Sequence, residues 1–231
     1  MMDNVTEIKN SISEWLTKRQ ESIHNSDDDI LSTCANIIIS ELESKSENPS
    51  HKIEHIQQGL NIAKQLEKLD CNNEILAAAF IYTGLNNNSF TTDKIKGRIN
   101  TNIISLAQRT QRLNAIDAMS TLHDSEYLLS QSDNLRKMLL SIVGDVRAVV
   151  IKLAECLHTL HAIKNENEDI KTTYAKLIMQ LYAPLANRLG IGQLKWELED
   201  IAFRYLKPNE YFEISKSLKH RRAERENYIN L

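Results

Sequence analysis

The amino-acid sequence predicts an all-α fold, a bundle of about ten helices by pattern count. Three observations predict it. Apolar residues recur at three-and-four spacing from one end of the chain to the other, the period that lays them along one face of a helix. Only six Gly and three Pro occur in 231 residues, so few helix interiors are interrupted. Leu, Ile, Ala, Glu and Lys dominate every stretch, and all of these but the β-branched Ile lose little freedom in a helix. With 42% hydrophobic and 26% charged residues, the chain is long and apolar enough to close a sizeable core.

The elements follow in order. Ile8, Ile12 and Trp15 mark a first helix, and Ile30, Leu31, Cys34, Ile37, Ile38 and Leu42 a second. Asn48-Pro49-Ser50 breaks the pattern, and a third helix is expected from about Ile53 to Leu69, with Ile56, Leu60, Ala63 and Leu66 inward. Cys71-Asn72-Asn73 ends it. The run Ile75 to Ile81 is apolar on all sides, which predicts a helix in the middle of a bundle that stops at Gly84. Leu85 to Thr92, rich in Asn and Ser, reads as a loop. Helices are then expected around Asn102 to Leu113, Ala115 to Leu129 and Asp133 to Val143. Gly144-Asp145 has the form of a C′ glycine followed by an N-cap. The helix it opens places Val146, Val149, Val150, Leu153, Leu157, Leu160 and Ile163 on one face. Ile151 and Ala154 make a second face apolar, so this helix too is central. After the charged stretch Lys164 to Asp169, a helix ends near Leu189, and another runs from about Gln193 to Tyr205. Pro208 opens the last one.

The formal net charge of −3 names no nucleic acid or acidic membrane as an obligatory partner. Cys34, Cys71 and Cys156 stand at neither metal-like nor disulfide-like spacing, so a reducing compartment, the cytoplasm, is expected. The first residues, Met1 to Gln20, carry Asp3, Glu7 and Glu14 in a helical pattern. No apolar run reaches the length of a bilayer span, and neither secretion nor membrane insertion is expected.

Three stretches carry a resemblance. Tyr182-Ala183-Pro184-Leu185-Ala186-Asn187-Arg188-Leu189-Gly190-Ile191, continuing through Gln193-Leu194-Lys195-Trp196-Glu197 to Tyr205-Leu206, resembles the end of the HD-type hydrolase domain of RelA/SpoT homologues. Asn134 to Leu140, with Asp145-Val146-Arg147 and Val150-Ile151-Lys152-Leu153-Ala154, resembles the same family's fourth hydrolase motif and its approach. The closing Arg221-Arg222-Ala223-Glu224-Arg225-Glu226 resembles the connector toward a synthetase domain. The resemblance implies an HD-type helical domain over 1–206 and a helical connector over 207–231.

It also implies a chemistry. Active members hydrolyse the 3′-pyrophosphate of the alarmone ppGpp with a Mn²⁺ ion held by a His, an adjacent His-Asp pair and a later Asp, while a Glu-Asp pair assists the water. Imidazole and carboxylate donors converging on one ion make its bound water a nucleophile near neutral pH. Carried over by position, the His-Asp pair falls on Tyr82 and Thr83, and the Glu-Asp pair on Asn86 and Asn87. The first His falls on Gln58, and the last ligand on Glu155 in Leu153-Ala154-Glu155-Cys156-Leu157-His158. Phenol, hydroxyl and amide groups replace neither the ligands nor the base.

That pattern resembles the RelA branch, which makes the alarmone by ATP:GTP 3′-pyrophosphotransfer and does not degrade it. The implied role is a catalytically silent regulatory domain with no catalytic residue, no metal and no cofactor of its own, the Mn²⁺ site being lost. The implied partners are the synthetase domain of the full-length protein and, through that protein, the ribosome. A homodimer is a further expectation. No membrane and no direct nucleic-acid contact is expected.

Two other readings stand beside it. One is an active metal-dependent hydrolase with relocated ligands, recruiting His51, His55 or His123; the other is a pure interaction module. His123-Asp124 is a literal HD dipeptide, but it lies in a polar stretch and reads as a solvated pair. His51 with His55, and His158 with His161, have the spacing to bite one ion from a single helix, and no third ligand is in view. Tyr82 reads as a core aromatic. Glu155 needs His158, a Lys or Arg, or water as a partner if buried. The basic residues Lys219 to Arg225 alternate with Glu224 and Glu226 as a solvated helix face does.

Overall fold

The computed structural model describes residues 2–22, 28–43, 49–122 and 144–229. The expected helix over Asp133 to Val143 and the His123-Asp124 pair lie outside them. The fold is all-α, and no strand occurs among the described residues. The helices are α1 (Met2–Ser22), α2 (Asp28–Glu43), α3 (Pro49–Glu67), α4 (Asn73–Asn86), α5 (Thr92–Ile95) and α6 (Thr101–Leu122). After Gly144 come α7 (Val146–Ala162), α8 (Glu168–Leu177), α9 (Ala183–Arg188), α10 (Gly192–Leu206) and α11 (Pro208–Ile229).

The chain forms two compact units. The described residues up to His158 belong to the first and those from Thr159 onward to the second.

In the first unit, α4 packs against α2, α3 and α6. Every residue from Ile75 to Leu85 is buried, as its all-round apolar run predicts. Asn72 caps it, its Oδ1 accepting from the Ile75 N–H at 3.1 Å. Trp15 of α1 meets Phe80 edge to face, ring centroids 5.9 Å apart.

Four expectations are corrected here. Pro49 begins α3, because a missing N–H costs nothing in a first helical turn. Gly84 does not stop α4, which continues to Asn86. A Cβ at Gly84 would lie 2.2 Å from the Phe90 ring, so the glycine is a notch for an aromatic in the supposed loop. The turn is made instead by Asn88 at φ +55°, with the Ser89 N–H donating back to the Gly84 carbonyl at 2.8 Å. Third, α6 runs unbroken through Asn114, where a helix boundary was expected. Finally, Val146 is exposed although it shares a face with Val149 and Leu153, because it is the first residue of α7. Gly144 does stand at φ +58°, and Asp145 Oδ1 accepts from the Arg147 N–H at 3.0 Å, as the cap reading requires.

In the second unit, α8, α9 and α10 pack together through a π-helical turn at Ile178–Tyr182. Pro184 explains that turn. Its ring would strike the carbonyl four residues back, and widening the helix relieves the clash. The Tyr205 hydroxyl donates to the Leu160 carbonyl at 2.8 Å, and Phe203 packs edge-on to Tyr211 of α11. The side chains from Lys219 onward, including the basic cluster, lie outside the described ones.

Candidate functional site

Three helices of the first unit send polar side chains into one buried cluster. Tyr82 and Asn86 stand at i and i+4 on α4, and Lys152 and Glu155 at i and i+3 on α7, spacings that place each pair on one helix face. Asn114 comes from α6. The Tyr82 hydroxyl donates to Glu155 Oε2 at 3.0 Å, and Lys152 Nζ donates to the same oxygen at 2.8 Å. Lys152 Nζ also donates to Asn114 Oδ1 at 2.6 Å. The Asn114 amide then donates to the Tyr82 oxygen at 2.6 Å and to Asn86 Oδ1 at 2.8 Å. The network closes on itself.

Burial makes this pairing obligatory. Lys152 and Glu155 are 3% and 8% exposed, and a lone charge at either place would be costly. Burial first, and then the nearby Glu155 carboxylate, push the Tyr82 phenol well above its ordinary range, so it is a neutral hydrogen-bond donor at pH 7. Glu155 thus has a lysine partner, one of the kinds its burial demands.

The remaining predicted positions sit elsewhere. Thr83 turns to α3, donating to the His55 carbonyl at 2.7 Å, where Gly59 lets the helices touch. A Cβ on Gly59 would lie 2.5 Å from the Thr83 hydroxyl and 2.6 Å from the Phe80 carbonyl oxygen. Asn87 is exposed and binds the Thr83 carbonyl at 2.9 Å as a helix-end cap. Gln58 lines a cleft of about 370 Å³ with Gln57, Asn61, His158 and the carboxylates Glu7 and Glu54. No Lys or Arg lines it. The structure therefore gathers Tyr82, Asn86 and Glu155 in one cluster and gives Thr83, Asn87 and Gln58 other surroundings.

His55 faces Ser89, its Nδ1 lying 2.9 Å from the hydroxyl, and its ring centroid is 6.3 Å from that of His51. Burial, and then His51, hold its pKa below the ordinary imidazole value. Among the described residues, no three His, Cys, Asp or Glu side chains come together as metal ligands. None of their helices is long and apolar enough to cross a membrane.

Sequence reasoning missed Lys152 and Asn114. A lysine at i−3 from a glutamate on a helix otherwise apolar on two faces was the available signal for the first. Nothing marked Asn114, which only the packing of α6 on α4 brings to Tyr82.

Comparison with known proteins bears on the same region. A family model for the HD domain matches residues 35–192. The GTP pyrophosphokinase of Photobacterium angustum is 40% identical over 172 residues, covering 74% of this chain and 23% of that protein. The GTP pyrophosphokinase of Escherichia coli K12 is 41% identical over 172 residues, with the same two coverages. A Synechocystis protein described as a probable guanosine-3′,5′-bis(diphosphate) 3′-pyrophosphohydrolase is 30% identical over 175 residues, covering 76% of this chain and 22% of its own. The chain thus spans about a quarter of the length of these relatives.

Proposed function

Because this chain belongs to the HD domain family, as the N-terminal HD region of the RelA/SpoT kind, we propose that it is a catalytically silent regulatory domain of an alarmone synthetase. The parent reaction would be pyrophosphate transfer from ATP to the 3′ position of GTP, carried by a synthetase domain that this region contacts within the same protein. The cytoplasm, and the ribosome as a partner of the whole protein, belong to the same reading.

The observation that carries it is the closed cluster of Tyr82, Asn114, Lys152 and Glu155. A divalent ion needs several imidazole or carboxylate donors converging with free lone pairs. Here the carboxylate is engaged by an ammonium and a phenol, and the neighbouring positions offer amides and hydroxyls, so these residues do not fit the ion. The cleft over Gln58 argues the same way. Glu7 and Glu54 without a lining Lys or Arg repel a ligand bearing two diphosphates.

The second reading, hydrolysis through recruited ligands, has the Synechocystis relative in its favour. One experiment separates the two. Purified chain is titrated with Mn²⁺ by calorimetry and assayed for pyrophosphate release from ppGpp in the same buffer. No saturable binding and no release are expected. Turnover above the uncatalysed rate, or Mn²⁺ held stoichiometrically, overturns the proposal.

A further inference from the structure

Helices α1 and α3 enclose a second cleft of about 470 Å³, which shares no lining residue with the one over Gln58. Its charge is opposite. Lys18 and Arg19 from α1, Lys64 from α3 and Lys68 from the turn that follows α3 line it against two carboxylates, Glu14 and Glu67. Each carboxylate is already engaged: Glu14 by Lys18 at 2.7 Å, and Glu67 by Arg19 at 2.6 Å. Lys64 also acts on Glu14 through space, and the cleft keeps an excess of two positive charges, four cations against two carboxylates, with Lys64 in the last turn of α3 and Lys68 just beyond it. Among the described residues neither makes an ion pair. Like charges at this spacing repel, and a bound anion would relieve them.

The wall of this cleft is tied by hydrogen bonds. Arg19 is only 8% exposed. Its Nε and Nη2 donate to Asn73 Oδ1 at 3.2 and 2.6 Å, which fixes the guanidinium plane and leaves one hydrogen on each Nη uncommitted. The Trp15 indole N–H also holds Glu67, at 2.7 Å, so that carboxylate is committed to the wall. A hydrogen-bonded guanidinium beside two ammonium groups that form no salt bridge among the described residues suits phosphoryl oxygens, whose double negative charge matches the excess. The volume lies within the range of small-molecule sites.

We propose that this cleft binds a small molecule carrying a diphosphate or phosphomonoester, with Lys64 and Lys68 holding the phosphoryl oxygens against the wall of Arg19 and Trp15. The site is separate from the cluster around Glu155, and the proposal stands whether or not the domain hydrolyses anything.

The test uses inorganic pyrophosphate and a Trp196→Phe chain, in which Trp15 is the remaining tryptophan of two. Pyrophosphate should change Trp15 emission saturably, and the affinity should fall as salt is raised. A Lys64→Ala/Lys68→Ala double variant should lose about tenfold or more in affinity while keeping its thermal midpoint. No saturable change by emission or calorimetry up to about 10 mM pyrophosphate overturns the proposal, as does equal affinity in the double variant. Succinate binding as tightly as pyrophosphate overturns the phosphoryl class.

Discussion

Helices α4 and α11 represent opposite extremes of one all-α chain. In α4 each residue from Ile75 to Leu85 is buried, including the polar Tyr82 and Thr83. In α11 Phe212, Ile214 and Leu218 are more than half exposed, and the described contacts with α10 are made by Tyr211. Around α4, water is excluded and every polar group must find a partner in the protein. Along α11, even large apolar side chains stand in water. The difference teaches that surroundings, more than residue type, set what a substitution costs.

The largest expected effect lies where α4 meets α7. Lys152→Met leaves the Glu155 carboxylate buried beside a phenol and an amide, and removing one partner of a buried pair costs about 3–5 kcal/mol. Thermal denaturation should show a fall in midpoint of roughly 2–4 °C per kcal/mol for a chain of this size. Adding Glu155→Gln should restore most of it. An unchanged midpoint for the single variant would mean that Glu155 is hydrated, and the contrast with α11 would lose its basis.

A smaller effect is expected at the edge of the α3–α4 contact. Burial holds the His55 pKa below its unfolded value, so as pH falls the unfolded chain takes up the proton first. The contribution is present above the unfolded imidazole value of about 6.5 and is lost as pH falls below it. Urea midpoints at neutral and mildly acidic pH should diverge less in a His55→Gln variant than in the parent. Equal divergence would remove His55 from the explanation.

The smallest change belongs to α11. Phe212→Ser should alter stability by no more than about 0.5 kcal/mol, the range of ordinary surface substitutions. A loss comparable to that of Lys152→Met would show that the exposed face of α11 is packed in solution, and would bring the two helices under one rule.

The fold was legible because helical periodicity and scarce glycine and proline are local properties. The run Ile75 to Ile81 announced a buried helix, and Gly144-Asp145 and Pro208 announced helix ends. The same local logic failed at Gly84, where the deciding neighbour, Phe90, comes from a later turn, and it gave no sign that the partners of Asn114, Tyr82 and Asn86, come from another helix. At the candidate site, the sequence by itself determined which chemical groups occupy the family's positions: phenol, hydroxyl, three amides and one carboxylate at Tyr82, Thr83, Asn86, Asn87, Gln58 and Glu155. Only the tertiary structure decided which of them meet. Hydrogen bonds reach about 3 Å, and whether Lys152, Asn114 and Tyr82 come within that reach of one another depends on how α4, α6 and α7 pack.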